Sequence, residues 1–200
     1  MIDPTKVTNF NRNQEEMEEF LLFCIIVAGK NAFQQAKKLD EFLKKLDTHK
    51  TPFSRILNID FNGHLEETLR SVKMGQYHRI STAFRGVSAF LYQPPKDYSY
   101  VLKNVDVKYL ECIKGIGMKT ARFFLMHTRP NQQFACLDTH ILKWLGERGH
   151  DVPKQTPNGQ KYLWLEQAFL AYCREMQMTP AELDLKIWNE AHPGIIKISP

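Results

Sequence analysis

Cysteine is scarce, and the four present, Cys24, Cys112, Cys136 and Cys173, stand far apart. No C-x-x-C pair and no terminal cysteine cluster exists to hold zinc or an iron–sulfur centre. A cluster-bearing protein is excluded on that pattern, and buried thiols in a reducing compartment are expected. Long apolar runs are missing as well: nothing approaches the roughly 20 residues that span a bilayer. The opening segment lacks a signal-peptide pattern. The expectation is a soluble intracellular protein of the cytoplasm and nucleoid, or of a nucleus, with no membrane partner. Strand-like alternation is rare, and there is no repeat and no low-complexity linker. His78, His127, His140 and His150 stand at no ligand spacing from cysteines or carboxylates, which argues against any metal site.

What the chain does have is apolar residues and a localised charge. With 200 residues, 43% hydrophobic and 12% aromatic, it can bury one large core or two small ones joined by a groove. The formal charge is +5. Between positions 96 and 161 lie eleven Lys or Arg against six Asp or Glu, so 11 − 6 accounts for the whole excess. Glu15, Glu16, Glu18 and Glu19 make the opening acidic instead. A face for a polyanion therefore belongs to the second half.

Helical spacing dominates. Helices are predicted over 15–30, 33–46, 52–58, 65–72, 77–91, 98–102, 105–112, 119–127, 139–148, 159–176 and 180–191. Phe20, Leu21, Phe23, Cys24 and Val27 point inward on the first; Ala36, Leu39, Phe42, Leu43 and Leu46 recur at helical intervals on the second. Turn chemistry marks Gly63, Gln93-Pro94-Pro95, Arg129-Pro130-Asn131, 153–157 and Thr179-Pro180. The fold class is all-α, and any two lobes must pack closely.

The most informative segment is Leu110-Glu-Cys-Ile-Lys-Gly-Ile-Gly-Met-Lys-Thr-Ala121, two glycines around one apolar residue between two amphipathic helices. Gly-x-Gly permits a tight reversal with positive φ that exposes backbone N–H groups near the start of the second helix. Such donors bind anions. Ile113 and Ile116 can enter the core while Lys114 stays outside, giving a clamp for one DNA phosphate that reads no base. On the glycines alone, a helix C-cap followed by a new helix is an equally good account.

Two residues nearby carry chemistry. Lys119 falls in the first turn of the second helix, where the macrodipole and partial desolvation would lower its pKa and free its amine as a nucleophile; a solvated surface lysine is the bland alternative. Asp138 ends the apolar run Gln133-Phe-Ala-Cys-Leu137 and starts a helix at Thr139-His140-Ile141-Leu142, as a natural N-cap. Taken alone it is a cap and nothing more.

Together these segments resemble the helix-hairpin-helix and aspartate signature of the endonuclease III and 8-oxoguanine DNA glycosylase superfamily. The resemblance rests on Leu110-x-x-Ile-x-Gly-Ile-Gly-x-Lys-Thr-Ala121 followed by Leu137-Asp-Thr-His-Ile141 and covers roughly residues 105 to 145. Weaker similarity reaches upstream. Gly75-Gln76-Tyr77 resembles the family's Gly-x-Tyr segment, and 20–32, ending Gly29-Lys30-Asn31-Ala32, resembles the helix and turn that insert side chains into the DNA stack. Lys114 stands where many members have proline, and the iron–sulfur cysteines of many endonuclease III relatives are absent.

The resemblance implies two helical lobes with an active-site groove between them: 20–130 as a barrel lobe that includes the hairpin at 105–127, and 1–19 with 131–200 as a second lobe carrying Asp138. It implies a monomeric bifunctional DNA glycosylase and AP lyase acting on double-stranded DNA with a damaged base, preferably 8-oxoguanine. Lys119 would attack the sugar C1′ and form a Schiff base, and Asp138 would orient or deprotonate the amine and stabilise charge on the sugar. Lys114, Gly115, Ile116, Gly117 and Thr120 would hold the DNA backbone, with a monovalent cation shared by hairpin carbonyls and no organic cofactor or iron–sulfur cluster. Lys30 and Asn31 would fill the void left by a flipped base; Gln167 would read the base edge and Trp188 would stack on it. The plain readings stay beside these: Lys30-Asn31 as an ordinary helix stop, and Trp144, Trp164, Phe169 and Trp188 as core. Three alternatives remain open: a monofunctional glycosylase using water, a glycosylase for oxidised pyrimidines, and a hairpin module that binds DNA without chemistry.

Overall fold

The structure is a computed structural model describing residues 1–46, 50–91 and 102–193. Those residues carry helices and no strand. The chain folds as two compact units, Met1–Gly117 and Met118–Pro200. That division falls within the hairpin, whereas the lobes expected from sequence change over at 19/20 and 130/131.

The first unit contains α1 (Gln14–Ile26), α2 (Ala32–Lys44), α3 (Pro52–Phe61), α4 (Leu65–Ser71), α5 (Tyr77–Leu91) and α6 (Val107–Glu111). Asn13 starts α1 with a capping box: its side chain accepts from Glu16 N, and the Glu16 carboxylate accepts from Asn13 N. From Phe20 to Ile26 every residue is buried, so α1 is a central helix rather than an amphipathic one, in contact with α2, α3 and α5. Its acidic opening is not all surface. Glu18 is buried and accepts from Phe53 N at 2.8 Å, capping α3, where Pro52 has no N–H and the side chain of the N-cap Thr51 makes no cap bond to the helix. Burial pushes the Glu18 carboxyl above the usual range.

The second unit contains α7 (Met118–Thr128), α8 (Thr139–Gly146), α9 (Gly159–Glu175) and α10 (Pro180–Ala191). Thr179 and Glu182 form a capping box at α10, with Pro180 at its first position. Leu137, Ile141, Leu145, Tyr162, Leu165, Phe169, Leu183 and Ile187 make one buried core, in which each side chain contributes about 2 kcal/mol of apolar burial. Between Thr128 and Thr139 the chain runs without regular structure, and buried 135–137 pass through that core.

Predicted helices match well wherever breakers bound them: 65–72, 77–91 and 180–191 differ from the observed bounds by at most one residue. Helix 98–102 and the Gln93-Pro94-Pro95 turn lie outside the described residues, apart from Leu102. Two expectations are corrected. The first helix ends at Ile26, with Val27 as C-cap and Gly29 at φ +69 turning the chain, so 27–30 are not helical and Val27 is only half-buried. Trp164 is 48% exposed, because α9 turns Tyr162, Leu165, Glu166 and Phe169 inward instead. Among the described residues no helix is long and apolar enough to cross a membrane.

Candidate active site

The hairpin follows α6. Gly115 takes φ +96, a conformation that penalises any side chain, and packs against α5: a Cβ there would lie 2.6 Å from the Ala83 Cβ. Gly86, one turn further along α5, similarly makes room for Ile113, whose Cγ2 would lie 2.9 Å from an added Cβ. Small residues on α5 thus form a seat for the turn. Ile113 and Ile116 are buried in it, and Ile116 N donates to Ile113 O at 3.0 Å. Lys114, Gly115 and Gly117 face solvent. Gly117 is different from Gly115, since its φ is not left-handed and an added Cβ would meet open space. Neither packing nor backbone strain inside the chain demands a glycine there. Lys103 and Lys108 are also exposed, so the approach to the turn is cationic.

Met118 opens α7 immediately after Gly117, placing Lys119 in its first turn, half-buried, with no ion pair or hydrogen bond from its amine among the described residues. The next residue, Thr120, is buried, which takes its hydroxyl away from an approaching backbone. Asp138 is the N-cap of α8, and its Oδ1 accepts from both His140 N and Ile141 N at 2.9 Å. One oxygen therefore satisfies the helix, and the other makes no hydrogen bond among the described residues. Asp184 on α10 lies within electrostatic reach of both. Its buried carboxyl is pushed up by desolvation, pulled down by His127, whose Nε2 lies 3.2 Å from Oδ2, pushed up again by Asp138 and pulled down by Lys119. Lys119 and Asp138 thus act on one neighbourhood within the second unit.

The strap leading to Asp138 has no ladder partner, so side chains satisfy its backbone. Ala135 N donates to Glu166 Oε1 at 2.9 Å, Tyr162 OH donates to Ala135 O at 2.6 Å, Leu137 N donates to Tyr162 OH at 3.3 Å, and Thr156 Oγ1 donates to Leu137 O at 3.0 Å. Glu166 is itself paired with buried Arg122 at 2.8 Å.

Comparison with known proteins shows the family. The sequence profile of 8-oxoguanine DNA glycosylase matches residues 2–178, nearly the whole chain. This chain belongs to the 8-oxoguanine DNA glycosylase family. An 8-oxoguanine DNA glycosylase/AP lyase of Thermoplasma volcanium is 38% identical over 190 residues, covering 93% of this chain and 85% of the relative. One of Picrophilus torridus is 26% identical over 183 residues, 88% of this chain and 79% of the relative. An 8-oxoguanine glycosylase/lyase of Methanocaldococcus jannaschii, solved in complex with a 15mer DNA containing 8-oxoguanine, superposes with a TM-score of 0.69 at 25% identity, over 92% of this chain and 84% of that one.

In this member of the family the remaining residues singled out from sequence are scattered. Asn31 caps α2, its side chain accepting from Gln34 N at 3.0 Å. Lys30 reaches across to the turn before α5, donating to Met74 O at 2.8 Å and Gly75 O at 3.3 Å; burial, with Arg79 and Lys38, lowers its pKa to about 8. Gln76 and Lys73 in that turn hold left-handed backbone without being glycine. Gln167 is exposed on α9, one residue beyond the buried Glu166. Trp188 is half-buried and stacks on His192 with centroids 4.4 Å apart, and His192 meets His140 edge-on at 4.9 Å. That aromatic group adjoins the helix Asp138 caps. Among the cysteines, Cys24, Cys136 and Cys173 are buried as expected and Cys112 is exposed, a correction for the one that ends α6. Burial raises the Cys173 thiol to about 12. Among the described residues no three His, Cys, Asp or Glu side chains gather as metal ligands.

Sequence reasoning missed Arg122, Glu166, Tyr162 and the His127–Asp184 pair. A signal existed for two of them: Glu166 and Asp184 fall on the inward phase of their helices, among Tyr162, Leu165 and Phe169 and among Ala181, Leu183 and Ile187. A carboxylate at a core position calls for a buried partner.

Proposed function

We propose that this chain is a bifunctional 8-oxoguanine DNA glycosylase and AP lyase, with Lys119 as nucleophile and Asp138 as its support. The observation that carries the reading is that the second unit sets Lys119 in the first turn of α7, its amine without an ion pair or hydrogen bond among the described residues, and Asp138 at the N-cap of α8 with both cap bonds on one oxygen. A clamp that only grips backbone has no use for that arrangement, and this favours chemistry over a binding module.

The neutral amine of Lys119 attacks C1′ of a flipped nucleotide; the bond from C1′ to the base breaks, its electron pair leaves with the base, and a proton neutralises it. The Asp138 carboxylate takes the proton from the attacking nitrogen and offsets positive charge on the sugar. The C1′–O4′ bond of the deoxyribose then breaks, O4′ takes up a proton from the Asp138 carboxyl, and a protonated Schiff base remains on Lys119. Loss of a proton from C2′ then expels the 3′ phosphate, and water releases Lys119 from the product. Gly115, Ile116 and Gly117, with Lys114 at their side, hold a phosphate just ahead of Lys119. The open space at Gly117 suits such an approach. A monovalent cation fits the turn, where carbonyls are the available ligands: Ile113 O accepts one bond and keeps a second lone pair. Trp188 offers a face for the base, and the exposed Gln167 is retained as an edge contact. Lys30 and Asn31 would reach the void only by giving up their present bonds. The enzyme acts as an intracellular monomer, on lobes that change over at 19/20 and 130/131.

Borohydride trapping on a duplex with 8-oxoguanine tests the lyase step. Wild type should give a covalent adduct, and Lys119→Gln none. An adduct independent of Lys119, or base release without any adduct, would make the enzyme monofunctional. Asp138→Asn should keep the fold, since Asn caps as well as Asp, while base release falls roughly 100-fold or more. A panel with thymine glycol and uracil duplexes tests the substrate; faster excision of thymine glycol would refute the preference for oxidised purine.

A further inference from the structure

We propose that the buried Arg122–Glu166 pair is a positioning device that holds Asp138 in register with Lys119. The proposal rests on the reading of Lys119 and Asp138 as the reacting pair. Both side chains are 5% exposed. Two charges taken out of water at this depth are a poor way to stabilise a core, because apolar residues of similar volume commonly do as well or better. What the pair does supply is directed hydrogen bonds. Glu166 Oε1 accepts from Arg122 Nε at 2.8 Å and from Ala135 N at 2.9 Å, three residues ahead of Asp138. From the other end, Arg122 Nη1 donates to Met118 O at 3.3 Å, the carbonyl immediately before Lys119.

A single carboxylate oxygen therefore joins the helical turn that carries the lysine to the strap that carries the aspartate. Tyr162, one helical turn before Glu166 on the same face of α9, fixes the other side of Ala135 through its carbonyl at 2.6 Å. The Arg122 guanidinium also lies over the Tyr162 ring, 4.9 Å from its centroid, which limits the rotamers open to it. The strap owes its course to these side chains, since it has no sheet or helix of its own. Removing the shared acceptor would let Ala135 and the turn at Met118 relax independently. A displacement of about 1 Å between reacting groups lowers the chemical rate by about 100-fold with little effect on binding.

Three variants are compared with wild type in single-turnover base release, borohydride trapping, duplex affinity and thermal unfolding. Glu166→Gln keeps the shape and one oxygen acceptor, and exchanges the charge and the second oxygen for an amide NH2. Glu166→Met fills the volume and loses the acceptor, and Arg122→Met/Glu166→Met removes the pair without stranding a charge. We expect Glu166→Gln to stay within about threefold of wild type, and both methionine variants to react about 100-fold more slowly with duplex affinity unchanged. Folded methionine variants that react at the wild-type rate overturn the proposal. So does a loss of affinity equal to the loss of rate, or a Glu166→Gln rate as low as that of Glu166→Met. If Glu166→Met does not fold, the double variant decides; if neither folds, the pair serves the fold and the proposal falls. Wild-type adduct formation through Lys119, measured in the same series, separates failure of this idea from failure of the catalytic assignment.

Discussion

The Gly115 hairpin and the 135–138 strap lead to the two candidate residues, Lys119 and Asp138, and they are held by opposite means. The hairpin is fixed by shape: Gly115 lies against Ala83, and Gly86 leaves room for Ile113. Hydrogen bonds fix the strap, through side chains of Thr156, Tyr162 and Glu166 that bind its backbone. Shape tolerates no added carbon but is indifferent to lost polar atoms, while the strap should behave the other way. Three measurements bear on that contrast.

The largest effect should come from Gly115→Ala, which combines left-handed backbone with a 2.6 Å clash. A loss of about 3 kcal/mol in denaturant unfolding is expected. Gly117→Ala, two residues on, should change stability by under about 0.5 kcal/mol while weakening duplex binding. Equal stability losses at both glycines would mean that packing, and not ligand access, explains the second one. Next in size, Tyr162→Phe removes the bond to Ala135 O and leaves the buried Leu137 N without its acceptor, for a loss of about 1–2 kcal/mol. A neutral result would show that the strap, too, is held mainly by packing. The smallest perturbation is chemical. A thiol reagent should modify Cys112 at the hairpin at once and Cys136 in the strap only as fast as the strap opens, with Cys173 silent because burial holds its thiol near 12. Tyr162→Phe should speed labelling at Cys136 and leave Cys112 unchanged.

The same contrast explains what could be read in the sequence. The hairpin's determinants are local: two glycines, two isoleucines and a lysine within a dozen residues announced the turn, its buried and exposed positions, and Lys119 at the start of α7. Asp138 was visible as a cap for the same reason. The strap's supports come from far along the chain, 31 residues away for the Ala135–Glu166 bond and 44 for Arg122–Glu166. Spacing carries no trace of such pairs. Reading α9 by apolar content alone put Trp164 inside and attention on Gln167, when the helix turns in a charged residue whose partner lies on α7. Lys30 and Asn31 were found as a turn, yet their present bonds, to Met74 O and from Gln34 N, depend on the turn before α5 and on the cap of α2.

The order in which the polypeptide is made gives the strap a further meaning. The side-chain hydrogen bonds to Ala135 and Leu137 come from downstream, from Thr156, Tyr162 and Glu166. Synthesis proceeds from the N-terminus, so a growing chain acquires the hairpin and Lys119 before Asp138 can be set in place. Until Glu166 has emerged and α9 has docked, the nascent protein lacks the hydrogen bonds that fix the strap carrying Asp138, and under the proposed assignment strand cleavage waits until the second unit has folded.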